Sequence, residues 1–212
     1  MTLFSDTSLF SSGQPGKKVY EPEDASLVLI EHFFNKEESD RMYEHLLAET
    51  PWQTSQITIY GKLHDTPRLI AWYGDPNKDY TFSGNTRSTL PWTPDLLFIK
   101  EKTEIEAGVT FNSVLLNLYR TGKDSVGWHR DNEKEFGENP IIASVSFGET
   151  RPFQLKHKFK NEINRITIPL THGSLLIMKG KTQHFWEHQI PKTAKPISPR
   201  INLTFRIIKT AG

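Results

Sequence analysis

The chain has 212 residues, 26 Lys plus Arg against 25 Asp plus Glu, and 36% hydrophobic residues, a balance suited to one globular domain with a real core. It has no cysteine, which excludes disulfides, thiolate zinc sites, iron–sulfur clusters and a thiol nucleophile. No run of about 18 apolar residues points to a membrane span, and a net charge of +1 is silent about nucleic acid.

Met1 to Gly16 offers neither a basic stretch nor a sustained apolar run, so it does not read as a signal peptide. Residues 1–20 read as a flexible lead-in and 21–212 as one domain. With no export signal the expected location is intracellular: a bacterial cytoplasm, or the nucleus if the source is eukaryotic. The expected state is a monomer.

Ala25–Ile30 has the composition of a short strand. Asn35 followed by Glu38 has the form of an N-cap with an acidic third residue, and Met42, Leu46 and Leu47 give the helix behind it an apolar side. Thr93-Pro94 opens a second helix that runs through Leu96, Leu97, Ile99 and Ile105 to Gly108. Between the two, residues 51–92 are rich in aromatic, Gly, Pro and Asp positions and should be strands and loops.

From Phe111 onward the chain reads as short strands: Phe111–Arg120, Ile141–Phe147, Pro152–His157, Asn164–Leu170, Ser174–Met178, His184–Gln189 and Arg200–Ile208. Ile190–Pro199 should be an exposed turn. Many short strands after two helices favour an α+β domain, a sandwich or barrel of antiparallel strands backed by helices.

The first group with chemistry in it is His129-Arg130-Asp131 with His188. On an extended strand residues i and i+2 share a face, so His129 and Asp131 can reach one metal together. A histidine from a distant strand completes a two-His, one-carboxylate set, which holds iron(II) on one triangular face and leaves the opposite positions open. The tripeptide alone describes two polar residues at a strand end equally well. His184, four residues before His188, shares its face on an extended strand, so spacing leaves that ligand open between them. A helical zinc pair fits poorly, because Phe185 stands where His-Glu-x-x-His needs its glutamate.

The second group is Arg200-Ile-Asn-Leu-Thr-Phe-Arg206, whose alternation is strict. Arg200, Asn202, Thr204 and Arg206 fall on one face and Ile201, Leu203 and Phe205 on the other. An ordinary strand with a solvated face has this pattern; so does a dicarboxylate site inside a barrel, where a guanidinium fork matches a carboxylate. Asn117 and Tyr119 likewise share a face and carry an amide and a phenol that can bond carboxylate oxygens. Packing of the Tyr ring and a turn role for the Asn are the alternatives.

Together these segments resemble the AlkB family, and more closely its duplex-DNA-repair branch. The phrases that carry the likeness are Phe111–Tyr119, His129-Arg-Asp-Asn-Glu133, Ala143–Gly148, His172–Leu176, His184-Phe-Trp-Glu-His188 and Pro199–Arg206, in family order across roughly residues 50–208. The resemblance implies a double-stranded β-helix (jelly-roll) barrel over about 111–208, supported by N-terminal helices. It implies His129, Asp131 and His188 as ligands of Fe(II). It further implies 2-oxoglutarate as co-substrate, with Arg206 on the distal carboxylate helped by Asn117 and Tyr119. Arg200, Asn202 and Thr204 would line the same site, Arg200 nearer the metal-chelating end.

The region 51–92 resembles the family's nucleotide-recognition part. Tyr80, Thr81, Phe82 and Ser83 would form one wall of the pocket for a flipped base, and Asn132 and Glu133 would touch that base. Tyr60, Gly61 and Lys62, followed by Arg68, would belong to a hairpin that pushes a wedge into the duplex. The implied activity is oxidative removal of N-alkyl groups from bases such as 1-methyladenine and 3-methylcytosine. It consumes O2 and 2-oxoglutarate and releases succinate, carbon dioxide and formaldehyde, on alkylated DNA, duplex and single-stranded. The competing expectations are a sibling oxygenase acting on RNA, protein or lipid, a catalytically silent binder of alkylated DNA, and a cupin-like sugar or metal module. The last gives no reason for two arginines flanking Asn202 on one face.

Overall fold

The structure, a computed structural model, describes residues 10–11, 16–59, 62–76, 80–82, 85–87 and 89–209. It opens with strands β1 (Phe10–Ser11), β2 (Lys17–Tyr20) and β3 (Ser26–Ile30), then helix α1 (Lys36–Glu49). Hairpin β4 (Gln53–Ile59) and β5 (Lys62–Gly74) follows, then the ribbon β6 (Tyr80–Phe82) and β7 (Asn85–Arg87), and helix α2 (Pro94–Ala107). The rest is strand-rich: β8 (Ser113–Tyr119), β9 (Val126–His129), β10 (Ile142–Gly148), β11 (Arg151–His157), β12 (Ile166–Leu170) and β13 (Ser174–Lys179). A single helical turn α3 (Thr182–Phe185), β14 (Trp186–Ile190) and β15 (Arg200–Arg206) close the chain.

Strands β8 to β15 divide into two facing sheets. One has the order β13-β10-β15-β8 and is widened by β3, β2 and β1 on one side and by β5 and β4 on the other; the second has the order β12-β11-β14-β9. Every pairing within these two sheets is antiparallel. This is the expected double-stranded β-helix, and its chain crosses between the sheets at almost every connection.

The larger sheet is covered on both faces. Against the helices it presents Val114, Leu116, Val145, Phe147, Leu203 and Phe205, packed on Phe34, Met42, Leu46, Leu96 and Ile99. Toward the smaller sheet, Ile142, Leu176 and Met178 meet Phe153, Leu155, Ile168 and Trp186. All seven residues of β15 are therefore buried, polar and apolar alike. Its polar face turns inward to the barrel rather than outward to water.

The helix boundaries follow from their caps. The Asn35 side chain accepts from the Glu38 N–H at 2.8 Å while the Glu38 carboxylate accepts from the Asn35 N–H at 3.1 Å, a reciprocal capping box. Thr93 caps α2 ahead of Pro94, and Gly108 ends it with φ of 70°. Leu47, assigned to the apolar side of α1, is exposed instead at 36%, and on α2 Leu97 and Ile105 are exposed at 40% and 80%.

Other differences concern strand limits. Lys17–Tyr20, expected as lead-in, pairs with β3 in the larger sheet. Val126–His129 is a strand of its own. The strand expected from His184 begins at Trp186, because α3 precedes it. Gly148 (φ 86°) turns the chain between β10 and β11 where a side chain has no room: a Cβ there would stand 2.4 Å from the Pro199 carbonyl oxygen.

Candidate metal centre

β9 ends on His129, so Asp131 lies just past the strand rather than on it. His188, at the centre of β14, is the direct cross-strand partner of His129. One ligand atom from each of His129, Asp131 and His188 falls within 4.8 Å of the other two, the one such group of three among the described residues. His129 Nδ1–H donates to the Gly127 carbonyl at 2.8 Å, which leaves Nε2 its lone pair, 3.8 Å from Asp131 Oδ1.

Asp131 is buried and anchored from two sides. Its N–H donates to Gln183 Oε1 at 3.0 Å, and its Oδ2 accepts from Arg206 Nη2 at 2.8 Å. Burial alone would raise its carboxyl, but Arg206 and the two imidazoles override that and hold it well below the usual carboxylate range. Burial pushes His188 down to about 3, with the neighbouring His129 adding to the shift. Its imidazole is thus neutral at ordinary pH, the form that binds metal.

His184 stands outside the cluster. Its Nε2 accepts from the Asn139 N–H at 3.4 Å and its carbonyl from Arg130 Nη1 at 2.9 Å. The helical turn α3 breaks the face-sharing that spacing alone left open.

His129, Asp131 and His188 line one cavity together with Asn117, Tyr119, Arg200, Asn202, Thr204 and Arg206. Much of the remaining wall is apolar, from Leu115, Val126, Phe153, Leu170, Met178 and Ile190. The two arginines of β15 point into the same space from opposite ends of the strand, about 20 Å apart at their backbones.

Their order along the cavity is the reverse of the expectation. Arg206 sits at the metal end, bonded to Asp131. Arg200 sits opposite Tyr119 in register, its guanidinium carbon 5.3 Å from the centre of that ring. Arg200 Nη2 donates to Ser146 Oγ at 2.9 Å, while its Nε and Nη1 have no partner among the described residues. Burial pulls this guanidinium down to about 10, with the Tyr119 phenol opposing the shift.

Asn117 Oδ1 is already committed: it accepts from Arg68 Nε at 2.8 Å, so what Asn117 can offer a ligand is its NH2. Arg68, expected among the substrate-binding residues, lines the cavity, with Nη1 donating to the Ser125 carbonyl. Asn202 and Thr204 spend their groups inside the barrel. Asn202 Nδ2 donates to Ser144 Oγ at 2.7 Å, and Thr204 Oγ1 donates to Asn202 Oδ1 at 3.0 Å. They are wall more than grip.

Of the residues expected to meet a base, Asn132 is exposed and Glu133 half-buried. Lys62 opens β5 opposite Ile59 in the hairpin, and Tyr80, Thr81 and Phe82 form β6. Tyr60, Gly61 and Ser83 lie outside the described residues. Gln183 was not anticipated, and nothing in its spacing signals it. Arg151 was also missed, although it is in phase with Phe153, Leu155 and His157, the buried positions of β11. A charged residue in step with the apolar ones on a strand was the available signal.

The family described as the 2OG-Fe(II) oxygenase superfamily matches residues 26–206. Over 184 residues the chain is 45% identical to alpha-ketoglutarate-dependent dioxygenase alkB homolog 3 of Bos taurus, covering 83% of this chain and 64% of that protein. It is 42% identical to DNA oxidative demethylase ALKBH2 of Homo sapiens, covering 82% and 70%. This chain belongs to the AlkB-type branch of the 2OG-Fe(II) oxygenase superfamily. It spans a little under two thirds of the length of the alkB homolog 3 proteins it matches. A solved structure titled "The structure of OsALKBH1" shares the AlkB-type fold, with a TM-score of 0.64 at 15% identity, over 93% of this chain and 99% of that one.

Proposed function

We propose that this AlkB-type chain removes N-alkyl groups from nucleic-acid bases in DNA, using Fe(II), O2 and 2-oxoglutarate. The observation that carries the reading is one cavity with two different ends. One holds two imidazoles and a carboxylate within 4.8 Å of one another; the other holds a buried guanidinium with two nitrogens that have no partner among the described residues. The nitrogen and oxygen donors, with no thiolate, suit iron(II). The guanidinium beside a phenol and an amide suits one carboxylate of an organic diacid.

Bound iron(II) and 2-oxoglutarate would supply, with O2, the oxidation of the alkyl carbon, leaving succinate, carbon dioxide, formaldehyde and the restored base. The chain's own groups do the rest. His129 Nε2, Asp131 Oδ1 and a ring nitrogen of His188 would hold the ion, and Arg206 occupies the second Asp131 oxygen. Arg200, Tyr119 and the Asn117 NH2 would hold the distal carboxylate of the diacid by charge and hydrogen bonds. The apolar wall keeps bulk water from the reacting centre.

DNA as substrate is supported by the relatives named as DNA oxidative demethylases. The hairpin β4–β5, ribbon β6–β7 and residues Asn132 and Glu133 are read as its reception surface, since a base must leave the stack before chemistry on it. The test is succinate release with alkylated oligonucleotides. Release dependent on 1-methyladenine or 3-methylcytosine in DNA supports the reading; release only with alkylated RNA or a protein moves the substrate elsewhere.

A further inference from the structure

Tyr119 carries a second guanidinium that the proposed chemistry does not use. Arg151, at the start of β11, is 1% exposed and places its guanidinium carbon 5.7 Å from the centre of the Tyr119 ring. Its Nη2 donates to the carbonyls of Asp124 at 3.0 Å and Pro191 at 2.6 Å. Its Nε and Nη1, like those of Arg200, have no partner among the described residues.

The acidic groups whose charge reaches Arg151 are engaged elsewhere. The Asp124 carboxylate is held by Arg120, Nε to Oδ2 at 2.7 Å and Nη2 to Oδ1 at 3.0 Å. Glu149 Oε2 accepts from the Ser198 N–H at 3.2 Å. Burial leads the lowering of both buried arginines, and Arg151 further lowers Arg200. Two desolvated cations beside one phenol, neither bonded to an acid, are costly unless an anion joins them.

We propose that Arg151 is a specificity-determining positioning residue: with Arg200 it places two positive charges around Tyr119, so that this end of the cavity selects a doubly charged oxo-acid over a singly charged one. Arg151 is not part of the cavity lining and acts through its field and its hold on the Tyr119 ring. The inference rests on the co-substrate reading above. A purely mechanical role is the rival, since Arg151 also ties residue 124 to residue 191.

Iron(II)-loaded protein is titrated anaerobically with 2-oxoglutarate and with 2-oxobutyrate, which share the metal-binding end and differ in the distal carboxylate; the visible absorbance of the chelate reports binding. In R151Q, neutral but still able to donate to the carbonyls, the preference for 2-oxoglutarate is expected to fall about tenfold, the scale of one partly screened charge interaction. In R151K, which keeps the charge, most of the preference is retained. An unchanged preference in R151Q, or an equal loss in both variants, overturns the proposal in favour of a clamp. R151M supplies the neutral arm if R151Q does not fold, and failure of both neutral variants to fold makes the charge structural and also overturns it. Wild-type protein that binds neither acid defeats the co-substrate reading itself, a result distinct from the others.

Discussion

Arg206 and Asp131, 75 residues apart in sequence, meet at 2.8 Å in the interior of the barrel, with side-chain exposures of 8% and 7%. The pair fixes which oxygen of Asp131 is open and keeps that carboxylate charged. It also separates the two arginines of β15 into different tasks.

Arg206→Met should therefore act on the metal. Loss of a group that orients a ligand lowers affinity roughly 10–100-fold, and leaving a buried carboxylate unpaired costs about 3–5 kcal/mol of stability. Cobalt(II) titration followed by its visible spectrum measures the first and urea unfolding of the chelated protein the second. Wild-type metal affinity in this variant would detach Arg206 from the metal centre.

Arg200→Met should act on the co-substrate. The half-saturating 2-oxoglutarate concentration is expected to rise about 100-fold, on the scale of a lost charge-assisted pair, with cobalt(II) affinity held within a small factor. A larger effect on metal than on 2-oxoglutarate would restore the opposite order of the two arginines.

Asp131→Ala should abolish metal binding and lesion-dependent succinate release, whereas His184→Ala should leave both within about threefold, since a ligand outside the coordination set contributes no bond to the ion. Turnover surviving in Asp131→Ala would rule out the ligand set.

Stability of the chelated protein should fall with acidification before any carboxylate titrates. His188 is lowered from 6.5 to about 3. Between those values the unfolded chain binds a proton that the folded chain refuses, so stability drops as pH falls through that window, by about 1.4 kcal/mol per pH unit. Asp131, lowered from 3.8, contributes the same sign only beneath that value. Urea unfolding at pH 6.5 and 4.5 should show this slope in wild type and a shallower one in His188→Gln. Parallel slopes would place His188 in water.

Much of this was readable in the chain. The caps at Asn35 and Thr93 are local chemistry, and the period-two pattern of Arg200–Arg206 states which residues share a face. What a face looks at is not local. Leu47, Leu97 and Ile105 continue apolar patterns yet stand exposed at 36%, 40% and 80%. The same strand alternation fits either solvent or a barrel interior, and only the second sheet decides. The reversed order of Arg200 and Arg206 along the cavity depends on which end of β15 approaches residue 131, a long-range fact. Arg151 stands one residue before the predicted strand Pro152–His157, so that boundary hides its phase with Phe153 and Leu155.

Tyr60→Ala tests the hairpin reading. Activity on duplex substrate is expected to fall by about tenfold and on single strands by less, because a wedge repays unstacking only where a stack exists. Equal losses on the two substrates would reduce Tyr60 to a general contact.

His129 closes a four-residue strand at the rim of the smaller sheet and faces His188 across the pairing. An ion shared by those two rings would act as a rivet through the sheet's border, fastening its shortest member to the next. Loading with metal would then be visible to a protease as well as to a spectrometer, and stripping the ion should open a cleavage site near residue 127 before the barrel as a whole gives way.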